Sequence, residues 1–142
     1  MAPSNVLVAL DGSPLAQDAL AHALETFECR VAVLNVVTPI DESMSEGGII
    51  EADDERRRSA RDRTEQIVEQ VRADQDDDRT VETVVEVGEP AETILSFVGE
   101  HDVDHVVIGG HGGERGRLAR RLLGTVATAV VGEAPVTVTV VK

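Results

Sequence analysis

Apolar residues gather in short runs, separated by stretches with a different rhythm. Val6 to Leu10 is unbroken. Beyond Asp11-Gly12-Ser13-Pro14, the apolar positions Leu15, Ala16, Ala19, Leu20, Ala23, Leu24 and Phe27 recur at intervals of one and three, as on one helix face. Ser13 stands where an N-cap is expected and Pro14 where a first helical residue is, so the opening reads strand, turn, helix. Val31 to Val37, VAVLNVV, is nearly continuous and β-branched, as a central strand covered on both faces requires. Ile40 to Ile50 reads as a loop. Glu51 to Ala73 is highly charged, with Ile67, Val68 and Val71 as its main stripe, and predicts a surface helix.

Thr80 to Val87 predicts a third strand, and Gly88-Glu89-Pro90 opens a helix with Ala91, Ile94, Leu95 and Val98 on one face. Asp104-His105 leads into a fourth strand, Val106 to Ile108. A short helix follows Gly124-Thr125 to about Glu133, and Val136 to Val141 is a fifth strand. Strands alternating with helices imply right-handed crossovers. The expected fold class is therefore α/β: an open five-stranded parallel sheet with helices on both faces. Without repeats or a linker-like stretch, residues 1–142 are expected to form one domain.

Composition narrows the functional classes. The formal net charge is −14, from 27 acidic residues against 13 basic ones, and Lys142 is the single lysine. A phosphate polymer or an anionic membrane would be repelled by that balance. Such a carboxylate-rich surface matches a halophilic, high-salt cytoplasm, where self-repulsion is screened within a few ångströms. Cys29 is the only cysteine, which excludes an intrachain disulfide and fits a reduced cytoplasmic setting, with Cys29 expected as a small buried apolar residue. The start, MAPSNVLVAL, has no charged leader segment, and no apolar run approaches the ~18 residues of a membrane span. Asp74 to Asp78, DQDDD, reads as a solvated turn, since the glycine and spaced glutamate of a calcium loop are missing.

Candidate chemistry lies where ligands of parallel sheets bind, at the carboxyl ends of strands. The first and fourth strands end at Asp11-Gly12 and Gly109-Gly110. From Ile108 to Val126 the chain reads IGGHGGERGRLARRLLGTV, with Arg115, Arg117, Arg120 and Arg121 close together in an acidic protein. Glycines there let backbone approach a ligand, and Thr125 opens a helix whose free N–H groups suit a phosphate. Residue types alone leave two readings open: a phosphate-type anion site, or a tight turn followed by an amphipathic helical turn with solvated arginines. No Walker loop is present, no dinucleotide fingerprint follows the first strand, and no GxSxG appears. His22, His101 and His105 lack paired zinc spacing, and His111 between glycines reads as a backbone-bonding residue. No catalytic residue or protein-bound metal is expected.

Across nearly its whole length the chain resembles the universal stress protein family. NVLVALDGS, VAVLNVV, VEVGEPAETI, VVIGGHG, LLGTVATAVV and APVTVTVV carry that resemblance. It implies a Rossmann-like fold of the adenine nucleotide alpha hydrolase type. It also implies a role as a cytoplasmic ATP-binding or adenine-nucleotide-binding regulatory or protective factor in stress response, with any hydrolysis incidental. The family motif is Gly-x2-Gly-x9-Gly-Ser/Thr. By position Gly109 and Gly112 form its first pair, and Gly124 with Thr125 its second. The resemblance further places Asp11 at the ribose or base, the backbone of Val36 at the adenine, Ala9 and Ile108 in the adenine pocket, and His111 and Val126 on the phosphate side, where Mg²⁺ would accompany ATP. One departure stands out: eleven residues, Gly113 to Leu123, separate Gly112 from Gly124 where the motif has nine. A homodimer through Val136 to Val141 is likewise implied. The alternative is a dimeric interaction module that binds no nucleotide, whose lengthened Gly/Arg loop docks another anion or an acidic protein partner.

Overall fold

Runs of β-branched and aliphatic residues become the strands: β1 (Asn5–Leu10), β2 (Arg30–Val37), β3 (Glu82–Val87), β4 (His105–Gly109) and β5 (Thr137–Val141). The computed structural model describes residues 3–10, 15–39, 49–110 and 124–142. Between the strands lie the helices α1 (Ala16–Thr26), α2 (Ile49–Asp74), α3 (Pro90–Glu100) and α4 (Thr125–Glu133). The strands form one sheet in the order β3-β2-β1-β4-β5, and every neighbouring pair is parallel. This is the expected five-stranded fold class.

Alternation along the strands divides the core into two layers. Val6, Val8, Leu10, Val31, Val33 and Val107 pack in the layer under α1 and α2. Leu7, Ala9, Ala32, Leu34, Val106 and Ile108 pack in the layer under α3, together with Ala127 and Val130 of α4. Because both faces of the central strands are covered, Val6 to Leu10 are each at most 3% exposed. That double burial explains why their sequence is unbroken rather than alternating.

Helix starts follow the chemistry of free N–H groups. Glu89 precedes α3, and its carboxylate accepts from the backbone N–H of Ala91 (3.2 Å) and of Glu92 (2.7 Å), with Pro90 first in the helix. The Thr93 hydroxyl donates to the Glu89 carbonyl at 2.7 Å. A Cβ on Gly88 would lie 2.5 Å from that hydroxyl oxygen, so the position before the cap must stay small. Glu89→Ala is expected to cost about 1 kcal/mol, read as a lower urea midpoint at unchanged slope. Ala91, Ile94, Phe97 and Val98 form the buried face of α3, so Phe97 takes the place expected for Leu95, which is half-buried. α1 starts at Ala16 with Leu15 at its cap position. The proposed cap Ser13 and Pro14 lie outside the described residues.

α2 buries more than its aliphatic stripe. Ala60, Val68 and Val71 are buried, and so is Thr64, at 1% exposure. The Thr64 hydroxyl donates to the Ala60 carbonyl at 2.7 Å and accepts from Asn35 Nδ2 at 3.0 Å. Both roles of the hydroxyl are used, which is what allows it to be buried.

The acidic turn departs from the expectation of a solvated DQDDD. Asp76 adopts a left-handed φ of 55°, and the Asp77 carboxylate turns inward to Arg79. From there the Arg79 guanidinium donates to the carbonyls of Phe27 (2.6 Å), Cys29 (2.8 Å) and Leu24 (3.0 Å), and to Asp77 at 2.8 Å. One planar fork thus satisfies carbonyls at and beyond the end of α1. The backbone N–H of Arg79, followed by its guanidinium, holds the Asp77 carboxyl below the usual carboxylate range. Cys29 is half-buried beside this clamp rather than fully enclosed.

Candidate functional site

The sheet order reverses between β1 and β4: β2 and β3 extend from one side of β1, β4 and β5 from the other. Here Ala9 pairs with Ile108 across the two strands, at their carboxyl ends. Both side chains are enclosed, at 1% and 0% exposure, so they form a floor rather than an open wall. Val36 of β2 and Val126 of α4 are half-buried against the same layer. The structure therefore places Ala9, Val36, Ile108 and Val126 in one apolar layer, with Ala9 and Ile108 side by side.

Gly109 closes β4 opposite Val141, and Gly110 follows it. Gly110 N–H donates to the Val141 carbonyl at 2.7 Å. A Cβ on Gly110 would meet Val140 Cγ1 at 2.8 Å and the Val141 carbonyl at 3.1 Å, so only glycine fits without displacing β5. The Gly110 carbonyl accepts from Gly124 N–H at 2.8 Å, and the first bond of α4 runs from Thr128 N–H to the Gly124 carbonyl at 2.9 Å. This leaves the N–H groups of Thr125, Val126 and Ala127 without helical acceptors, at the positive end of the helix dipole. Gly124 has φ −64° and ψ 162°, extended backbone open to any residue. Its glycine is therefore not needed for a left-handed turn. Thr125 is exposed, and α4 starts without a side-chain cap, with Gly124 at the cap position. Asp11, His111, Gly112 and the four arginines at 115, 117, 120 and 121 lie outside the described residues.

Among the described residues, three titratable groups have displaced pKa values, Asp77 at the acidic turn and Asp104 and His105 beside the amino end of β4. Asp104, beside the start of β4, accepts from the N–H and hydroxyl of Ser4 (3.0 and 2.9 Å) and from Asn5 N–H at 3.2 Å. The Ser4 N–H above all holds its carboxyl below the ordinary range. His105 at the amino end of β4 has Nε2 2.7 Å from the Thr139 hydroxyl and its ring centre 4.7 Å from that of Phe27. Burial pushes its pKa below the ordinary 6.5. The unfolded chain then takes up that proton more readily than the folded one, so stability present above pH 6.5 is lost as pH falls below it. The unfolding free energy of the native chain should decline across that window more steeply than that of His105→Gln; parallel curves would contradict this. His101 stacks on Phe97, with ring centres 4.0 Å apart. Among the described residues, no His, Cys, Asp or Glu cluster is arranged to hold a metal, and no helix is long and apolar enough to cross a membrane.

The bond that joins Gly110 to Gly124 was not foreseen from the sequence. Nor was the Asn35–Thr64 pair, whose only signal is a polar residue in an otherwise apolar strand.

Comparison with known proteins agrees with this architecture. A family model described as the universal stress protein family matches residues 3–142. Universal stress protein UspA from Lactobacillus plantarum superposes with a TM-score of 0.79 at 22% identity, over 100% of this chain and 99% of the other. The universal stress protein of Archaeoglobus fulgidus, solved in complex with dAMP, gives a TM-score of 0.60 at 22% identity over 100% of both chains. A universal stress protein family member from Arabidopsis thaliana, solved with AMP bound, gives 0.62 at 19% identity over 99% of this chain and 92% of the other. No curated protein matches the sequence. With the family model spanning all but the first two residues, the chain belongs to the universal stress protein family.

Proposed function

We propose that this chain is a regulatory or protective stress factor that binds an adenine nucleotide, with ATP and its Mg²⁺ as the expected form, and that it acts in the cytoplasm as a homodimer. The observation that carries the reading is the hydrogen bond from Gly124 N–H to the Gly110 carbonyl. It fixes the N-terminus of α4 at the carboxyl end of β4, which supports a phosphate site at that junction despite the longer spacing between Gly112 and Gly124. Neighbours of the same fold, from Archaeoglobus fulgidus with dAMP and from Arabidopsis thaliana with AMP, support the choice of ligand.

In this reading the adenine lies against Val36, above the floor of Ala9 and Ile108, and the phosphates meet Gly109, Gly112, Gly124, the Thr125 hydroxyl and the free N–H groups of Thr125 and Val126. Asp11 reaches the ribose or base, and His111 the phosphate side. These roles favour tight holding of charge, and in this reading any hydrolysis is incidental. The dimer forms through β5, an edge of the sheet whose Val138 and Val140 are only half-buried. A bare edge of this kind is satisfied by pairing with its own copy in a two-fold contact.

The test is calorimetric titration with ATP and Mg²⁺, and with AMP, in molar KCl, with light scattering for mass. Micromolar affinity, about −8 kcal/mol, is expected. Absence of heat at millimolar nucleotide would overturn the reading in favour of an interaction module with an arginine-rich loop.

A further inference from the structure

We propose that the open edge of β3 is a docking surface, to which a partner protein adds an extended segment whose basic and apolar residues alternate. β3 ends the sheet on the far side of β2 from the crevice of β1 and β4, so the surface does not rest on the nucleotide assignment.

The direction of the backbone follows from one bond. Gly88 N–H donates to the Val37 carbonyl at 3.0 Å, and along a strand successive residues turn their backbone groups to opposite edges. Glu82, Val84 and Glu86 therefore bond to β2, in the register observed, while Thr83, Val85 and Val87 turn theirs outward. The Thr83 carbonyl agrees: it accepts from the Arg61 guanidinium at 3.3 Å, a side chain reaching over from α2. Arg61 thus covers the amino half of the edge. Among the described residues, nothing bonds the outward N–H and C=O groups of Val85 and Val87 in the carboxyl half. Such free groups are ready to pair with another chain.

Side chains alternate in the same rhythm and define the partner. Val85 and Val87 pack toward α2 with Ala60. Val84 packs in the layer under α3, and Glu86, exposed, shares its side of the strand. Between Glu86 and α3 runs a groove of about 340 Å³, which carries the carboxylates of Glu86, Glu89, Glu92 and Glu100 beside the buried Phe97. No Arg, Lys or His stands among the described residues that line it. A strand added to β3 sets one row of side chains against the valines and the other against the glutamates, which calls for apolar and basic residues in turn. Backbone pairing supplies affinity and the side-chain rows supply specificity. β3 of a second copy would instead bring its own Glu86 to this wall, like charge against like.

The experiment is an NMR titration of the ¹⁵N-labelled full chain with the capped peptide Lys-Val-Lys-Val-Lys-Val, against Glu-Val-Glu-Val-Glu-Val and a fully N-methylated Lys-Val peptide, in one buffer. Saturable shifts at Val85, Glu86, Val87 and Glu92 are expected with the Lys-Val peptide, together with slowed amide exchange at Val85 and Val87. Glu86→Lys, at an exposed position, should weaken binding about tenfold, and Arg61→Gln, which uncovers the Thr83 carbonyl, should extend the slowed exchange to Thr83. Absence of saturable shifts, or shifts confined to β5, overturns the surface. Equal binding of the glutamate peptide, or an unaltered Glu86→Lys, overturns the basic partner. Equal binding of the N-methylated peptide overturns strand addition. Slowed exchange at Val85 that grows with the concentration of the chain alone overturns the partner in favour of a second copy.

Discussion

Gly124→Val is expected to lose adenine-nucleotide affinity by at least about a hundredfold, near 3 kcal/mol, while keeping its fold. The backbone at this position, φ −64° and ψ 162°, is ordinary extended geometry, so valine introduces no backbone strain. An N-cap side chain, however, is the one that reaches the free amides of the first helical turn, which is why serine and aspartate stabilise helices there. A branched apolar group at that point covers the amides that a phosphate needs and offers nothing in return. Gly124→Ala, with a single methyl, should fall between the two. Calorimetry measures the affinity, and far-UV circular dichroism with light scattering checks the fold and mass. Undiminished binding by the valine variant would remove α4 from the site.

The largest effect on stability is expected at Arg79. Arg79→Met keeps the aliphatic stem and deletes the guanidinium, stranding the carbonyls of Leu24, Phe27 and Cys29 and half of the Asp77 partnership. The Arg79 side chain is 19% exposed and Asp77 14%, so water replaces the lost partners poorly. A loss of about 3 kcal/mol is expected, observed as a lower urea midpoint. Lysine should recover only part of this, because one ammonium cannot reproduce a fork spanning three carbonyls. A loss below about 1 kcal/mol would show that the carbonyls are solvated after all. Asp77 keeps the Arg79 backbone N–H in every variant, so its depressed pKa should persist in part, and the stability it gives is lost as pH falls below 3.8.

Much of the fold could be read from the chain because β1, β2 and β4 are buried on two faces, and such strands leave an unmistakable apolar run. Helix α3 was legible from Gly88-Glu89-Pro90, where cap and first turn are local chemistry. β3 was less so: Thr80 and Val81 have strand-like composition, yet the strand begins at Glu82, after the turn that Arg79 ties to α1. That tie joins residues about fifty positions apart, and no local pattern encodes it. At the candidate site, glycine spacing pointed to a loop after β4, and Ala9, Val36, Ile108 and Val126 lie in one apolar layer. The bond between Gly110 and Gly124 was invisible for the same reason as the Arg79 clamp: a backbone contact leaves no residue-type signature beyond the glycines themselves.

Gly110 also has a mechanical consequence. Its N–H is held by Val141 at the edge of the sheet and its carbonyl by Gly124 at the head of α4. One residue without a side chain is therefore the hinge pin between the strand that would meet a second subunit and the helix that would meet the ligand. Its Cβ-free contact with Val140 leaves little slack on the strand side. Were a nucleotide held at one end and a second subunit at the other, the two would share a linkage two hydrogen bonds long.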